Sequence, residues 1–480
     1  MYNFIFDPDT NGIVLQESEK PLRREIRPVY CHELDMLGLK DRWRYSSDDS
    51  APLMWAINQF YFYKGRKVMK TQGGSCHSAP VVTVLEEPEP AGVLLQLCDI
   101  AGMNVRNKPL LDRLQAQSIE FTRKVYADYK DRADLFYVAF SGGKDSIATL
   151  DVVQRALPHN AFKVVFGDTQ MEFPDTYKLV DTVEASCRAA GIDFIRAKSE
   201  QAPADTWRVF GPPAEVRRWC CSVHKTTPQV LTLRQITGKL DFTGVALCGV
   251  RHAESVRRST YKPVTPSAKH KGQINAYPII DWSSAEVYLY IYAYNLPMND
   301  AYKKGNRRAG CLVCPMGGGS RDWITDTDYP DAVKPFRAVI ADMYSQHYAG
   351  TELDHYITAG WKYRRDGRDL PLEPGYAEYK KDGIQHIIVS GPKTPWAEWI
   401  KTIGILQNDL SPYKILFRGK VFMFEIEETK QGYKVTSAET NRVFLKFLKH
   451  VFRRAACCIG CHECEADCHQ GCISMHNGHV

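Results

Sequence analysis

Between residues 110 and 250 the chain alternates two kinds of apolar pattern. LLDRLQAQSIEFTRKVYADYKDRADL (110–135) spaces its apolar residues as one face of a helix, and the apolar run at 136–140 follows as a strand. IATLDVVQRAL returns to helical spacing, AFKVVFGDTQ reads as a second buried strand, and FPDTYKLVDTVEASCRAAG as a helix closed by glycine. IDFIRAK and DFTGVALCGVR supply a third and a fourth strand. Strands alternating with helices predict an α/β fold with a doubly wound parallel sheet, and ligands of such sheets sit beyond the carboxyl ends of the strands.

The flanks follow other rules. Residues 1–105 mix short β-like runs with turns. Residues 330–400 read as helical and then loop-rich, with Gly367, Pro371, Pro374 and Pro392, and 412–438 as a β-hairpin. NRVFLKFLKHVFRRA is a basic amphipathic helix leading into a cysteine-rich tail. The expected division is a small N-terminal β-containing region (1–105), an α/β domain (106–328), an α+β region (329–450) and a cysteine-rich tail (451–480).

Composition narrows the class. The 480 residues carry a formal net charge of +6, which permits an anionic partner without demanding one. No apolar run is long enough for a membrane helix, and MYNFIFDPDTNG lacks the basic and apolar regions of a secretory signal, so a cytoplasmic protein without a membrane partner is expected. In that compartment fifteen cysteines point to metal ligands or redox groups rather than structural disulfides. Cys31, Cys76, Cys98, Cys187 and Cys248 are scattered and read as small buried hydrophobes, with Cys31 and Cys76 as remnants of a degenerate zinc ribbon the alternative.

The sharpest local signal is Ser141-Gly142-Gly143-Lys144-Asp145-Ser146, set between an apolar strand and a helix. Such a turn leaves unpaired backbone N–H groups at the helix start, and glycine lets an anion come close. Lys144 adds a point charge, and Ser141 and Ser146 add hydroxyls. The loop is not a Walker A sequence. Asp168-Thr169 and Gly249-Val250-Arg251 fall at the ends of two other strands, so three candidate segments converge on one edge of the sheet.

These blocks, with RRWCCSVHKTTP, GVRHAESVRR, YPIIDWSSAEVYLYI and GCLVCPMGG, occur in an order that resembles the phosphoadenosine phosphosulfate (PAPS) reductase family of the ATP pyrophosphatase superfamily, over roughly 110–325. The resemblance implies an adenine nucleotide α-hydrolase-like fold. It implies that Ser141–Ser146 bind the phosphates of ATP or a PAPS-like nucleotide with Mg²⁺, that Asp168, Thr169 and Gly249 lie near the nucleotide, and that Arg251, Glu254, Arg257 and Arg258 approach phosphates or an anionic substrate. Lys144, Asp145, Arg251 and Arg257 are the catalytic candidates. Two departures qualify it. Dedicated PAPS reductases typically carry a modified loop, whereas this one is complete for ATP, and no E-C-G-x-H tail carries a reductase thiol. The expected activity is therefore sulfur transfer or reduction, including adenylation-dependent thiolation of a nucleic acid or metabolite, with sulfite-forming assimilatory reduction as the alternative and a non-enzymatic iron–sulfur scaffold or redox sensor as a third.

Two cysteine groups complete the reading. Cys220-Cys221 and Cys311-x-x-Cys314 are a set that a [4Fe–4S] cluster accepts, with zinc as the competing metal, and Arg217, Arg218, Lys225, Arg307 and Arg308 flank them. The adjacent Cys-Cys matches the cluster-bearing branch of the family. In the tail, Cys458-x2-Cys461-x2-Cys464-x3-Cys468 has bacterial ferredoxin spacing, with Cys472 or Cys457 as substitutes for the fourth ligand and a zinc knuckle as the alternative. A tail cluster implies an electron or sulfur donor protein as partner.

Overall fold

The structure is a computed structural model that describes residues 2–19, 25–267, 272–345, 347–365, 375–476 and 480. The chain forms two compact units, Met1–Arg368 and Asp369–Val480. Among the described residues no helix is long and apolar enough to cross a membrane.

The first unit begins with a hairpin of β1 (Tyr2–Asp7) and β2 (Gly12–Glu17). An antiparallel meander follows, made of β3 (Ile26–Val29), β4 (Met54–Ile57), β5 (Phe60–Tyr63), β6 (Arg66–Gln72) and β7 (Val81–Val84). The central sheet contains β8 (Leu135–Phe140), β9 (Lys163–Asp168), β10 (Asp193–Lys198), β11 (Gly244–Cys248), β12 (Val264–Pro266) and β13 (Ile274–Ala276) in the order β10-β9-β8-β11-β13-β12. All neighbours are parallel except β12 against β13. From β8 the chain winds outward through β9 to β10, then returns to the other side of β8 as β11. The order therefore reverses between β8 and β11, and such a switch point opens a crevice at the carboxyl edge.

Helix Lys144–Ala156 leaves β8 directly. Ile147, Leu150 and Val153 join the cluster around Val138, Val164 and Val245, while Ala148 and Val152 join a second one with Leu289 and Leu111. Burying both stripes pins the turn in front of the helix. Helix Ile100–Tyr129 starts ten residues before the expected 110, because Asp99 caps it by accepting the Gly102 N–H at 2.9 Å and Pro109 is tolerated inside it.

The second unit holds β14 (Tyr376–Lys381), β15 (Ile384–Ser390), β16 (Ile405–Leu406), β17 (Tyr413–Phe417), β18 (Lys420–Thr429) and β19 (Gly432–Ser437) in one antiparallel sheet of order β14-β15-β19-β18-β17-β16. The hairpin expected at 412–438 is thus three strands of a larger sheet. The supposedly loop-rich stretch before 400 contains the hairpin β14–β15. Its Asp382-Gly383 turn, with both φ values positive, is a short-range hairpin signal that the loop reading passed over. The reading of Gly367, Pro371 and Pro374 lies outside the described residues. Helix Arg442–Cys457 covers the sheet with Phe444, Leu448, Val451 and Phe452, and runs through position 450/451 into the cysteine tail.

Candidate active site

The loop after β8 is held open by its own hydroxyls. Ser146 donates to the Gly143 carbonyl at 2.8 Å and accepts from the Ser141 N–H and hydroxyl, both at 3.3 Å. Gly142 sits at φ 68°, and a Cβ there would lie 2.8 Å from Thr176 Cγ2. Only glycine takes this turn without strain. Asn299 donates to the Gly142 carbonyl at 3.0 Å, and the Lys144 N–H donates to the Tyr302 hydroxyl at 3.1 Å.

Asp145 is the electrostatic centre. Lys144 Nζ lies 2.7 Å from one carboxylate oxygen and Arg251 Nε 2.6 Å from the other. Burial works against this carboxylate, but Arg251 and Lys144 outweigh it and hold the carboxyl at about 2. Burial pushes the Lys144 ammonium down, and Asp145 opposes that. Arg251 is 1% exposed, and its remaining nitrogens take both oxygens of Glu25 at 3.1 and 3.0 Å. Gly249 lets the end of β11 approach the start of the helix Lys144–Ala156, since a Cβ there would lie 2.5 Å from the Asp145 carbonyl. Glu254 accepts the Arg251 N–H at 3.2 Å and pairs with Arg258. The fold thus gathers Ser141–Ser146, Gly249, Arg251, Glu254 and Arg258 at the switch point.

Arg257 points elsewhere. It lines a cavity of about 460 Å³ with Lys225, Gln229, Tyr261 and Tyr277. Asp168, at the end of β9, accepts from the Gln170 N–H and the Tyr177 hydroxyl, each at 2.8 Å. Thr169 turns toward the cysteines: its hydroxyl donates to Glu172 at 2.8 Å and lies 3.5 Å from Cys311 Sγ.

The four core thiols share one neighbourhood. The Cys220 thiol is pushed far up by its hydrogen bond with Cys221, then by burial, and further by the charges of Cys221, Cys311 and Cys314. Burial and then Glu172 push Cys311 up, while Thr169 and Lys225 oppose them. Among the described residues no three His, Cys, Asp or Glu side chains converge as a metal-ion site requires.

Cys220-Cys221 opens a helical turn that continues as a π-turn over Ser222–Thr226. His224 is fully buried there. The Thr206 hydroxyl donates to the Pro203 carbonyl at 2.8 Å, so at 2.8 Å His224 Nε2–H donates to Thr206 Oγ1, and Nδ1 has no partner among the described residues. Burial pushes this imidazole down to about 4.

In the tail, Cys457 is exposed in the last turn of its helix and Cys458 ends it. Burial pushes the Cys461 thiol up to about 11, with Cys464 and Cys458 adding to it. Cys468 moves the other way: burial raises it, but the backbone N–H groups of Cys472, Gln470, Ile473 and Gly471 outweigh that and lower it. The Cys472 N–H lies 3.3 Å from Cys468 Sγ, and Cys472 itself is exposed.

Some participants escape the motif reading. Glu25, Tyr302 and Asn299 carry no local signature. Lys225 does, since it follows Cys-Cys within the same block, and its charge bears on Glu172, Cys311 and Cys248. Other flanking cations are engaged elsewhere: Arg217 donates to the Arg365 carbonyl at 2.5 Å and Arg308 pairs with Glu254 at 3.5 Å.

Residues 136–316 match the family model described as the phosphoadenosine phosphosulfate reductase domain. An uncharacterized protein of Methanocaldococcus jannaschii is 32% identical over 288 residues, a match covering 58% of this chain and 56% of that protein, so the chain spans little more than half of that relative's length. An adenosine 5'-phosphosulfate reductase of Halalkalibacterium halodurans is 27% identical over 188 residues, covering 39% of this chain and 76% of the relative. Among solved structures, the phosphoadenylyl-sulfate reductase from Candida auris in a phosphate complex aligns at 20% identity and a TM-score of 0.31, covering 42% of this chain and 93% of that one.

Proposed function

We propose that this chain is an iron–sulfur enzyme that binds ATP or a related adenine nucleotide at the β8–β11 switch point and carries out sulfur transfer or reduction. The observation that carries the reading is the loop itself: an unmodified Ser141–Ser146 turn with Gly142 at φ 68°, opening a helix whose first residue is a buried lysine. The helix start supplies N–H donors, Lys144 holds phosphate oxygens, and Mg²⁺ carried by the triphosphate neutralises the remaining charge. Arg251, bound through all three nitrogens to Asp145 and Glu25, fixes the Asp145 carboxylate beside the loop.

In the thiolation form of the reaction an acceptor oxygen attacks the α-phosphorus, the α–β bond breaks and pyrophosphate leaves. Hydrosulfide supplied by a donor protein then attacks the adenylated atom, and AMP leaves carrying the acceptor oxygen. Lys144 and the loop N–H groups take up the charge that develops on the leaving phosphates. Cys220, Cys221, Cys311 and Cys314 would hold a [4Fe–4S] cluster that positions substrate or carries sulfur. Cys458, Cys461 and Cys464, with Cys468 or Cys472, would hold a second that supplies electrons. The lowered Cys468 thiol, ringed by backbone N–H groups, supports Cys468 over Cys472 as fourth ligand.

A second reading, reductive cleavage of adenylyl sulfate or PAPS to sulfite and a nucleotide, is favoured by the 27% identity to a named adenosine 5'-phosphosulfate reductase. Anaerobically purified protein given ATP with candidate acceptors, or adenylyl sulfate and PAPS with a reductant, separates the two. Release of pyrophosphate supports the adenylation reading and release of sulfite the reductive one. Neither product from any substrate overturns both and leaves a non-catalytic iron–sulfur protein.

A further inference from the structure

A second cavity, of about 220 Å³, opens beside the loop on the side of the N-terminal meander. Its lining combines Glu25, Arg27 and Asn58 with Lys144 and with Arg307 and Arg308, which precede Cys311. With Glu254 included, four cations face two carboxylates. The cations are not equally compensated. Arg27 is bound through two nitrogens to Glu33 at 2.5 and 2.6 Å, Lys144 to Asp145, and Arg308 to Glu254 at 3.5 Å. Arg307 donates to the Asn58 carbonyl and has no carboxylate in ion-pair range among the described residues. Burial and the neighbouring Arg27 both weigh against its charge. A guanidinium with only a carbonyl partner among the described residues, in a concave site with three further cations, is a place where an anion is favoured.

We propose that this cavity is a second oxyanion subsite, distinct from the phosphate loop, that takes a phosphate or sulfate group of the second substrate, with Arg307 as its principal ligand and Arg308 flanking it. The identification of its ligand as a substrate group rests on the nucleotide reading above; the binding itself does not. The volume suits a tetrahedral oxyanion with a few waters. Glu25 is the internal competitor. Its carboxylate lines the cavity while holding Arg251, and its side chain is 40% exposed, so an entering oxyanion meets its repulsion. The site is composite: Asn58 of the meander anchors Arg307, and Arg307 belongs to the segment that delivers Cys311. An anion bound here sits between the nucleotide loop and the approach to the cysteines.

Isothermal titration calorimetry on the full chain at fixed ionic strength tests this, with inorganic phosphate and inorganic sulfate as probes and a non-hydrolysable ATP analogue titrated separately. Arg307→Gln should weaken phosphate and sulfate binding about tenfold, with the analogue's affinity changed less than twofold, and Arg307→Lys should restore part of the loss. Glu25→Gln should tighten phosphate binding at least threefold, the opposite direction, which a folding defect does not produce. Phosphate should still bind when the analogue saturates the loop. Phosphate affinity within twofold of wild type in Arg307→Gln, equal loss for phosphate and analogue, or displacement of phosphate by the analogue each overturns the proposal. If the analogue does not bind at all, the nucleotide reading fails, while the opposed effects of the two variants on phosphate still decide this site.

Discussion

Cys220-Cys221 and Cys311-x-x-Cys314 lie about ninety residues apart in the chain, whereas Cys458, Cys461, Cys464 and Cys468 fall within about a dozen. The first group exists only because the loop after β9 presents Thr169 and Glu172 to Cys311 while a separate helical turn presents Cys220. The second is arranged by its own backbone: a helix end at Cys458, a short helix Glu463–Asp467 carrying Cys464, and N–H groups folded back onto Cys468. The hydrogen bond with Cys221 and then burial push Cys220 up, and burial pushes Cys311 up; in the tail burial likewise pushes Cys461 and Cys464 up, while local N–H donors bring Cys468 down. A group assembled by long-range packing responds to anything that loosens the sheet, and a locally assembled one does not.

Single-ligand variants give the largest effect. Cys311→Ala should remove all core iron, about four atoms per chain, and leave the tail's complement in place, with Cys461→Ser doing the reverse. Iron and acid-labile sulfide on anaerobic protein check this, and joint loss in either variant would mean that the two groups are not independent.

Next comes Gly249→Ala. The added methyl meets the Asp145 carbonyl at 2.5 Å, so β11 must move away from the loop. A stability loss of about 3 kcal/mol is expected, by analogy with overpacked cores, together with weakened nucleotide binding and core iron. Denaturant unfolding and calorimetry read it, and unchanged tail iron separates a local effect from general misfolding.

Acidification should also act on the core side, through His224. His224 is neutral when folded, with its imidazole held at about 4, against about 6.5 when unfolded. Between these values the unfolded chain binds the extra proton, so stability is fully present above pH 6.5 and falls as pH drops toward 4. The loss approaches about 2 kcal/mol at pH 5. Thermal unfolding of wild type and His224→Gln across pH 7 to 5 should show the variant's dependence flattened. An unchanged slope would remove His224 from the account.

The smallest effect belongs to the tail's support. Asn441 caps helix Arg442–Cys457 by accepting the Val443 and Phe444 N–H groups at 3.0 Å. Asn441→Ala should cost about 1 kcal/mol in the second unit and leave nucleotide binding and core iron unchanged. Amide hydrogen exchange over 442–457 measures it.

Local chemistry was legible in the chain because its causes are local. A strand running into Ser-Gly-Gly-Lys-Asp-Ser and a helix needs only neighbouring φ angles, hydroxyls and apolar spacing, and the tail cysteines need only a helix end and short turns. The same holds for the β14–β15 hairpin, whose Asp382-Gly383 signal was present though passed over. Tertiary structure alone decided which charges meet. Arg251 reaches Glu25 across 226 residues, Arg307 finds Asn58 across 249, and Thr169 lies against Cys311 across 142. Glu25 and Asn58 have no sequence signature, and each of the three contacts depends on how the meander, the switch point and the loop before Cys311 pack together. Helix Ile100–Tyr129 likewise extends through Pro109, since its buried stripe of Met103, Leu111 and Leu114 favours continuation more than the lost hydrogen bond opposes it.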